Sequence, residues 1–139
     1  MIMKDLSIED KELLLKDLCA RLPYRVKIKY LPDNRLDGIV LPYLHNGLTV
    51  LQKGAISYRA NIKYIRPYLR PMSSMTEEEK KERLSTFFTV VDTKMGLTPM
   101  LSGLKSIEYI DWLNAHHFDY RSLIEKGLAL EAPEGMYKI

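Results

Sequence analysis

The sequence is poor in the residues that carry catalysis and metal binding: of 139 residues, one is cysteine and three are histidine. A single thiol, Cys19, forms no internal disulfide, and on a helix shared with Leu15, Leu18 and Leu22 it is expected to pack as a small buried apolar group. His116 and His117 are neighbours, so on a helix they diverge by about 100° instead of sharing a face as an i, i+4 pair does. With His45 far away in sequence, no zinc set is expected, although one of the pair suits a helix C-terminus. No glycine-rich phosphate loop is present, so no nucleotide cofactor is expected. Asp111, His117, Asp119 and several serines lack the strand-to-helix elbow that would organise them as a nucleophile and its base, which argues against an enzyme. No window approaches the roughly 20 apolar residues of a membrane span. Met1 to Asp5 lead into a charged helix without an apolar signal core, and a cytoplasmic protein without membrane contact is expected.

What the chain does hold is enough to fold. Hydrophobic residues make up 46% and charged residues 28%, too apolar for a disordered chain and sufficient for one core without disulfides or metal. The net charge of +3 hides a segregation. Residues 1–22 carry four Lys/Arg against five Asp/Glu, residues 23–71 carry nine against two, and residues 72–139 carry eight against eleven. A basic middle third between two mildly acidic flanks points to an anionic partner.

These divisions coincide with changes of hydrophobic period. Ser7 before Ile-Glu-Asp-Lys-Glu is a helix start, and Leu14, Leu15, Leu18, Cys19 and Leu22 recur at helical spacing until Pro23, so residues 7–22 form an amphipathic helix. From Tyr24 the period becomes two. Val26, Ile28 and Tyr30 fall on one side and Arg25, Lys27 and Lys29 on the other, a half-buried strand with a cationic outer face. Pro32-Asp33-Asn34, His45-Asn46-Gly47 and Lys53-Gly54 are turn signals. They separate strands expected at Leu36–Leu44, Leu48–Gln52, Ile56–Arg59 and Ile62–Ile65, with Pro42 marking an edge or a break. Short strands at this density suggest a strongly bent small sheet or an SH3-like barrel.

The two prolines of Arg66–Met75 indicate a connector. Thr76 with Glu79 is a capping box, and Leu84, Phe87, Phe88 and Val91 are expected to form the apolar stripe of the helix it opens. Gly96, Pro99 and Gly103 break the chain. Ser106 opens a further helix through Trp112 and Leu113, and Asp119 or Ser122 a short one ending at Gly127. The tail from Glu131 is expected to be a surface strand or loop. The expected architecture is therefore α+β: an N-terminal helix (1–22), a basic β module (23–71) and a helical C-terminal region (72–139).

Six of the nine tyrosines fall within the basic module, among them Tyr24, Tyr30, Tyr58, Tyr64 and Tyr68. Cations attract phosphates and aromatic faces stack bases, so Arg25, Lys27, Lys29, Arg59, Lys63, Arg66, Tyr58 and Tyr64 are the candidate nucleic-acid-binding residues, for DNA or RNA. Tyrosine is also favoured in strands on propensity alone, and lysine on an outer strand face guards against edge pairing. Asp111 to Arg121 is dense in polar and aromatic groups, and Trp112, Phe118 and Tyr120 are expected in the core.

Three stretches, Leu18–Tyr24, Ile65–Glu79 and Asp111–Arg121 running on to Leu123–Ala129, resemble small uncharacterised proteins encoded by phages and integrated elements of gut bacteria. The resemblance spans most of the chain and implies a source, not an activity. The expectation is a non-enzymatic binding module, with nucleic acid as the leading partner. The alternative is a protein–protein adaptor or a structural component of phage origin.

Overall fold

The computed structural model describes residues 6–33, 38–45, 48–53, 56–101 and 103–137. In chain order the elements are α1 (Ile8–Arg21), β1 (Lys27–Tyr30), β2 (Gly38–His45), β3 (Leu48–Lys53), β4 (Ile56–Asn61) and β5 (Ile65–Leu69). They are followed by α2 (Glu77–Phe87), β6 (Phe88–Thr93), β7 (Gly96–Leu101), α3 (Ser106–Ala115) and β8 (Leu130–Glu131). The fold is mixed α+β.

Ser7 Oγ accepts the Asp10 N–H at 3.1 Å and opens α1, with Glu9 and Asp10 at the positive end of the helix dipole. Leu14 and Leu18 are fully buried, as the spacing requires, but Cys19 is exposed, contrary to expectation. The buried face runs through positions 14, 17, 18 and 21, because Asp17 and Arg21 go inside together as an ion pair with Nε 2.8 Å from Oδ2. Rotating the helix to bury that pair turns Cys19 outward. A one-turn 3-10 segment at Leu22–Tyr24 ends the helix, and Arg25, with φ of 56°, reverses the chain into β1.

The strand order is β4-β3-β2-β1-β5-β8, antiparallel except for the β5–β8 pair. This is an open sheet: among the described residues no ladder joins β4 to β5, so the expected barrel does not close. Pro42 lies within a register shift between Val40 and Leu44, so the break expected there occurs inside the sheet and not at its edge. Asn34, Asn46, Gly47 and Gly54, on which the turn expectations rest, lie outside the described residues. Between β4 and β5 the chain makes a single 3-10 turn, Ile62–Tyr64, where a strand was expected. Asn61 Oδ1 caps it by accepting the Lys63 N–H at 3.0 Å.

The supposed connector is also more regular than its prolines suggest, since Ile65–Leu69 is a strand. Pro67 is tolerated there because β8 pairs only with Tyr68 and Leu69, which leaves β5 an edge at the proline. Leu14, Leu18, Val26, Ile28, Ile65 and Leu69 form the centre of one core, closed on its far side by Leu123 and Leu128. Burying each such side chain contributes about 1.5–3 kcal/mol.

A second core gathers Met75, Phe87, Tyr109, Trp112, Leu113 and Phe118. The capping box is present: Glu79 N–H donates to Thr76 Oγ1 at 3.1 Å, and Thr76 N–H donates to Glu79 Oε1 at 2.9 Å. Beyond that helix the C-terminal half departs from the helical region expected. The helix stops at Phe87, and Phe88–Thr93 pairs antiparallel with Gly96–Leu101, from Phe88↔Leu101 to Thr93↔Gly96. Thr89, Val90, Val91 and Thr93 are β-branched, and Gly96 takes φ of 101° at the turn, which together favour a hairpin over a longer helix. Residues 119–127 form turns and not the expected short helix. Asp119 accepts the N–H groups of Leu123 and Ile124, and Gly127 has φ of 75°.

Candidate nucleic-acid interface

Register decides what β1 and β5 present. Ile28↔Pro67 and Tyr30↔Ile65 lie over the first core, which places the intervening pair, Lys29↔Arg66, on the opposite face. Val26 and Ile28 are buried and Lys27 is exposed, as the alternation requires, while Lys29 is half-buried because β1 has a neighbour on each side.

Arg66 is only 5% exposed. Its Nη1 donates to the carbonyls of Lys63 and Ile65, both at 2.9 Å, and burial lowers its pKa. No carboxylate among the described residues pairs with Arg66 or Lys29. Two cations directly opposite one another on neighbouring strands repel, and burial withdraws the water that would screen them.

The other candidates are distributed around this pair. Lys63 is half-buried, with Nζ 4.9 Å from the Tyr64 ring centroid. Tyr64 meets Tyr30 edge to face at 6.4 Å, so it serves packing as well as surface. Arg25 is exposed on the turn before β1. Arg59 is exposed on β4, with β3 and β2 between it and β1 in the strand order. The side chain of Tyr58 lies outside the described residues. Lys27 is engaged by the C-terminal tail: its Nζ donates to the Met136 carbonyl at 3.0 Å and lies 5.8 Å from the Tyr137 ring centroid. The Tyr137 hydroxyl accepts the Lys27 N–H at 2.9 Å and donates to the Tyr68 carbonyl at 2.8 Å, bridging β1 and β5 where direct pairing ends. Burial pushes that phenol up to about 12. The structure thus sets Lys29 opposite Arg66, holds the Lys63 carbonyl on the Arg66 guanidinium, ties Lys27 to the tail and sets Arg59 apart.

The residues weighed for catalysis do not converge. Asp119 is spent on two backbone amides. His116 Nδ1 meets the Trp112 carbonyl at 2.8 Å at the end of α3. His117 stacks on Tyr137 with centroids 3.7 Å apart. Burial, then the charge of Arg21, lowers His117 to about 4, so its imidazole is neutral near pH 7. Among the described residues no group of three His, Cys, Asp or Glu side chains is placed to hold a metal ion, and no helix is long and apolar enough to cross a membrane.

Two buried arginines were visible in the sequence only as charge. Arg21 holds Asp17 and donates to the Phe118 carbonyl at 2.7 Å, while Arg121 approaches Asp17 at 3.3 Å. Arg70 holds Glu79 through both guanidinium nitrogens at 2.8 and 2.7 Å, which pulls that carboxyl down to about 2. The i, i+4 spacing of Asp17 and Arg21 was a signal for the first pair; nothing local signals the second. A cleft of about 380 Å³ lies between Arg70–Thr76 and the tail, but its arginine is the one already bound to Glu79. Set against protein-family models, curated proteins and solved structures, the chain matches none of them.

Proposed function

We propose that the chain is a non-enzymatic binding module that seats the phosphate backbone of a nucleic acid on the β1–β5 face, at Lys29 and Arg66 with Lys63 beside them. The observation that carries this reading is the in-register opposition of Lys29 and Arg66, one half-buried and the other buried, with no carboxylate paired to either among the described residues. A bound phosphate supplies negative charge there and relieves the repulsion. Nine Lys/Arg against two Asp/Glu in residues 23–71 add a longer-range attraction of the same sign. The run β1 to β5, with a single 3-10 turn before its last strand, supports an SH3-like reading of this module as a bent sheet left open.

Fluorescence anisotropy against single- and double-stranded oligonucleotides, titrated at several salt concentrations, tests it. Binding should weaken steeply with salt, and Lys29→Gln should flatten the logarithmic slope by about one unit without unfolding the chain. No binding at micromolar protein in about 50 mM salt contradicts the reading.

A second reading, an adaptor or structural component of a phage or mobile element, is favoured by a different observation. The β6–β7 ribbon and the start of α3 expose Val90, Leu97, Leu101, Leu104 and Ile107.

A further inference from the structure

The β6–β7 ribbon is amphipathic. Its register puts Phe88, Val90, Leu97, Pro99 and Leu101 on one face, with Asp92 at the tip. Thr89, Val91, Thr93, Thr98 and Met100 fall on the other. In a chain alone in water the first face ought to be the buried one, yet Val90 is 63% exposed, Leu97 76% and Leu101 41%. Only its base is covered, where Phe88 meets Tyr109 edge to face at 5.5 Å. The apolar surface continues along the chain through Leu104, 96% exposed, to Ile107. The ribbon forms a sheet of its own with two strands, a size that is marginal unless another layer packs on it.

We propose that the Val90–Leu97–Leu101 face of the ribbon packs against the same face of a second copy of this chain, giving a two-fold dimer. The proposal rests on the adaptor reading and names its partner. The area is that of a small interface. The exposed parts of Val90, Leu97, Pro99, Leu101, Leu104 and Ile107 offer on the order of 350 Å² at about 90 Å² for each fully exposed side chain. A standard interface takes about 800 Å² per partner, of which about 56–65% is apolar, so the ribbon supplies most of the apolar part of such an interface and the dimer is a weak one.

The charge fits a copy better than a charged partner. Between Phe88 and Leu104 the only ionisable side chains are Asp92 and Lys94, so the surface is neutral and two copies meet without net repulsion. The ribbon is also unguarded. Phe88–Val91 has no charge and no proline, and all of its residues are β-branched or aromatic, a run that folded proteins cover when it is exposed. In a two-fold pair each ribbon covers the other with its own face, which requires no second kind of surface.

Light scattering on the eluting full chain, from about 5 to 200 µM, tests the proposal across the micromolar range of a small, weak interface. The expected mass rises to twice the 16.2 kDa of the chain, and it persists in high salt because the contact is apolar. Leu97→Asp should return the mass to that of one chain while circular dichroism stays native, since the side chain is exposed in the single chain. Thr89→Asp, on the opposite face, should leave the dimer intact. A wild-type mass of one chain throughout overturns the proposal. In that case, wild-type binding of an apolar dye that Leu97→Asp reduces leaves the adaptor reading standing, and no difference in dye binding removes both. Dissociation by Thr89→Asp as readily as by Leu97→Asp overturns the assigned face.

Discussion

The first core and the β6–β7 ribbon treat similar apolar residues in opposite ways. Leu14, Leu18, Ile28, Ile65 and Leu69 are sealed between α1, the sheet and residues 123–129, and the carboxylates drawn in beside the cores are paired: Asp17 with Arg21 and Arg121, and Glu79 with Arg70 at the border of the second core. The ribbon leaves Val90 and Leu97 in water with only its base packed. What each region leaves open differs in kind. On the sheet it is positive charge at Lys29 and Arg66 with no carboxylate paired to either among the described residues, and on the ribbon it is apolar area. An anion is proposed for the first and another apolar face for the second.

The largest expected effects break the comparison on the core side. Asp17→Ala leaves Arg21 buried without its carboxylate and should cost about 3–5 kcal/mol in a urea denaturation. Leu18→Ala should cost about 2–5 kcal/mol, whereas Leu97→Ala, on the open ribbon, should change the stability of the single chain by less than about 0.5 kcal/mol. Equal costs for Leu18→Ala and Leu97→Ala would mean that the ribbon is packed within one chain, and the contrast between core and ribbon would be lost.

A smaller, pH-dependent effect separates the groups that hold the cores together. His117 is lowered from 6.5 to about 4, so the unfolded chain binds its proton first, and stability falls as pH drops from about 6.5 towards 4. Glu79 is lowered from 4.5 to about 2, so its contribution is present above 4.5 and is lost as pH falls towards 2. Thermal melts should therefore show two successive declines. His117→Asn should remove the upper one and Glu79→Gln the lower, and a melting temperature flat from pH 7 to 5 would contradict the assignment of His117. The smallest loss expected from removing a polar contact is at the tail: Tyr137→Phe removes the hydroxyl that bridges Lys27 and Tyr68 and should cost about 1–2 kcal/mol.

Much of the core side was legible because its signals are local. Ser7, the capping box at Thr76 and Glu79, and the alternation from Val26 to Tyr30 each act within a few residues, and each appears where expected. Cys19 was misplaced because an apolar stripe says nothing of an ion pair that prefers the inside, and Asp17 with Arg21 rotated the buried face. The ribbon was misread because Leu84, Phe87, Phe88 and Val91 satisfy a helical spacing over so short a window. The β-branched run and the turn at Gly96 carried the stronger information. β5 was missed because Pro67 is disfavoured in a strand, and only the tertiary placement of β8 shows why it is tolerated. The cationic pair was half visible: alternation put Lys29 on the outer face, but its partner Arg66 comes from a strand that the sequence did not announce. That tyrosine in the tail would engage Lys27 across the length of the chain had no local signal at all.

The claim that the two surfaces are separate, one for anions and one for a second chain, is tested most directly by sedimentation velocity with a labelled oligonucleotide. The samples are the wild-type chain, Lys29→Gln and Leu97→Asp. The wild type should sediment as two chains carrying the label. Lys29→Gln should sediment as two chains that carry less of the label, and Leu97→Asp as one chain that carries it as the wild type does. If both variants lose the label and the second chain together, or if neither loses either, the division of the molecule into these two binding surfaces is contradicted.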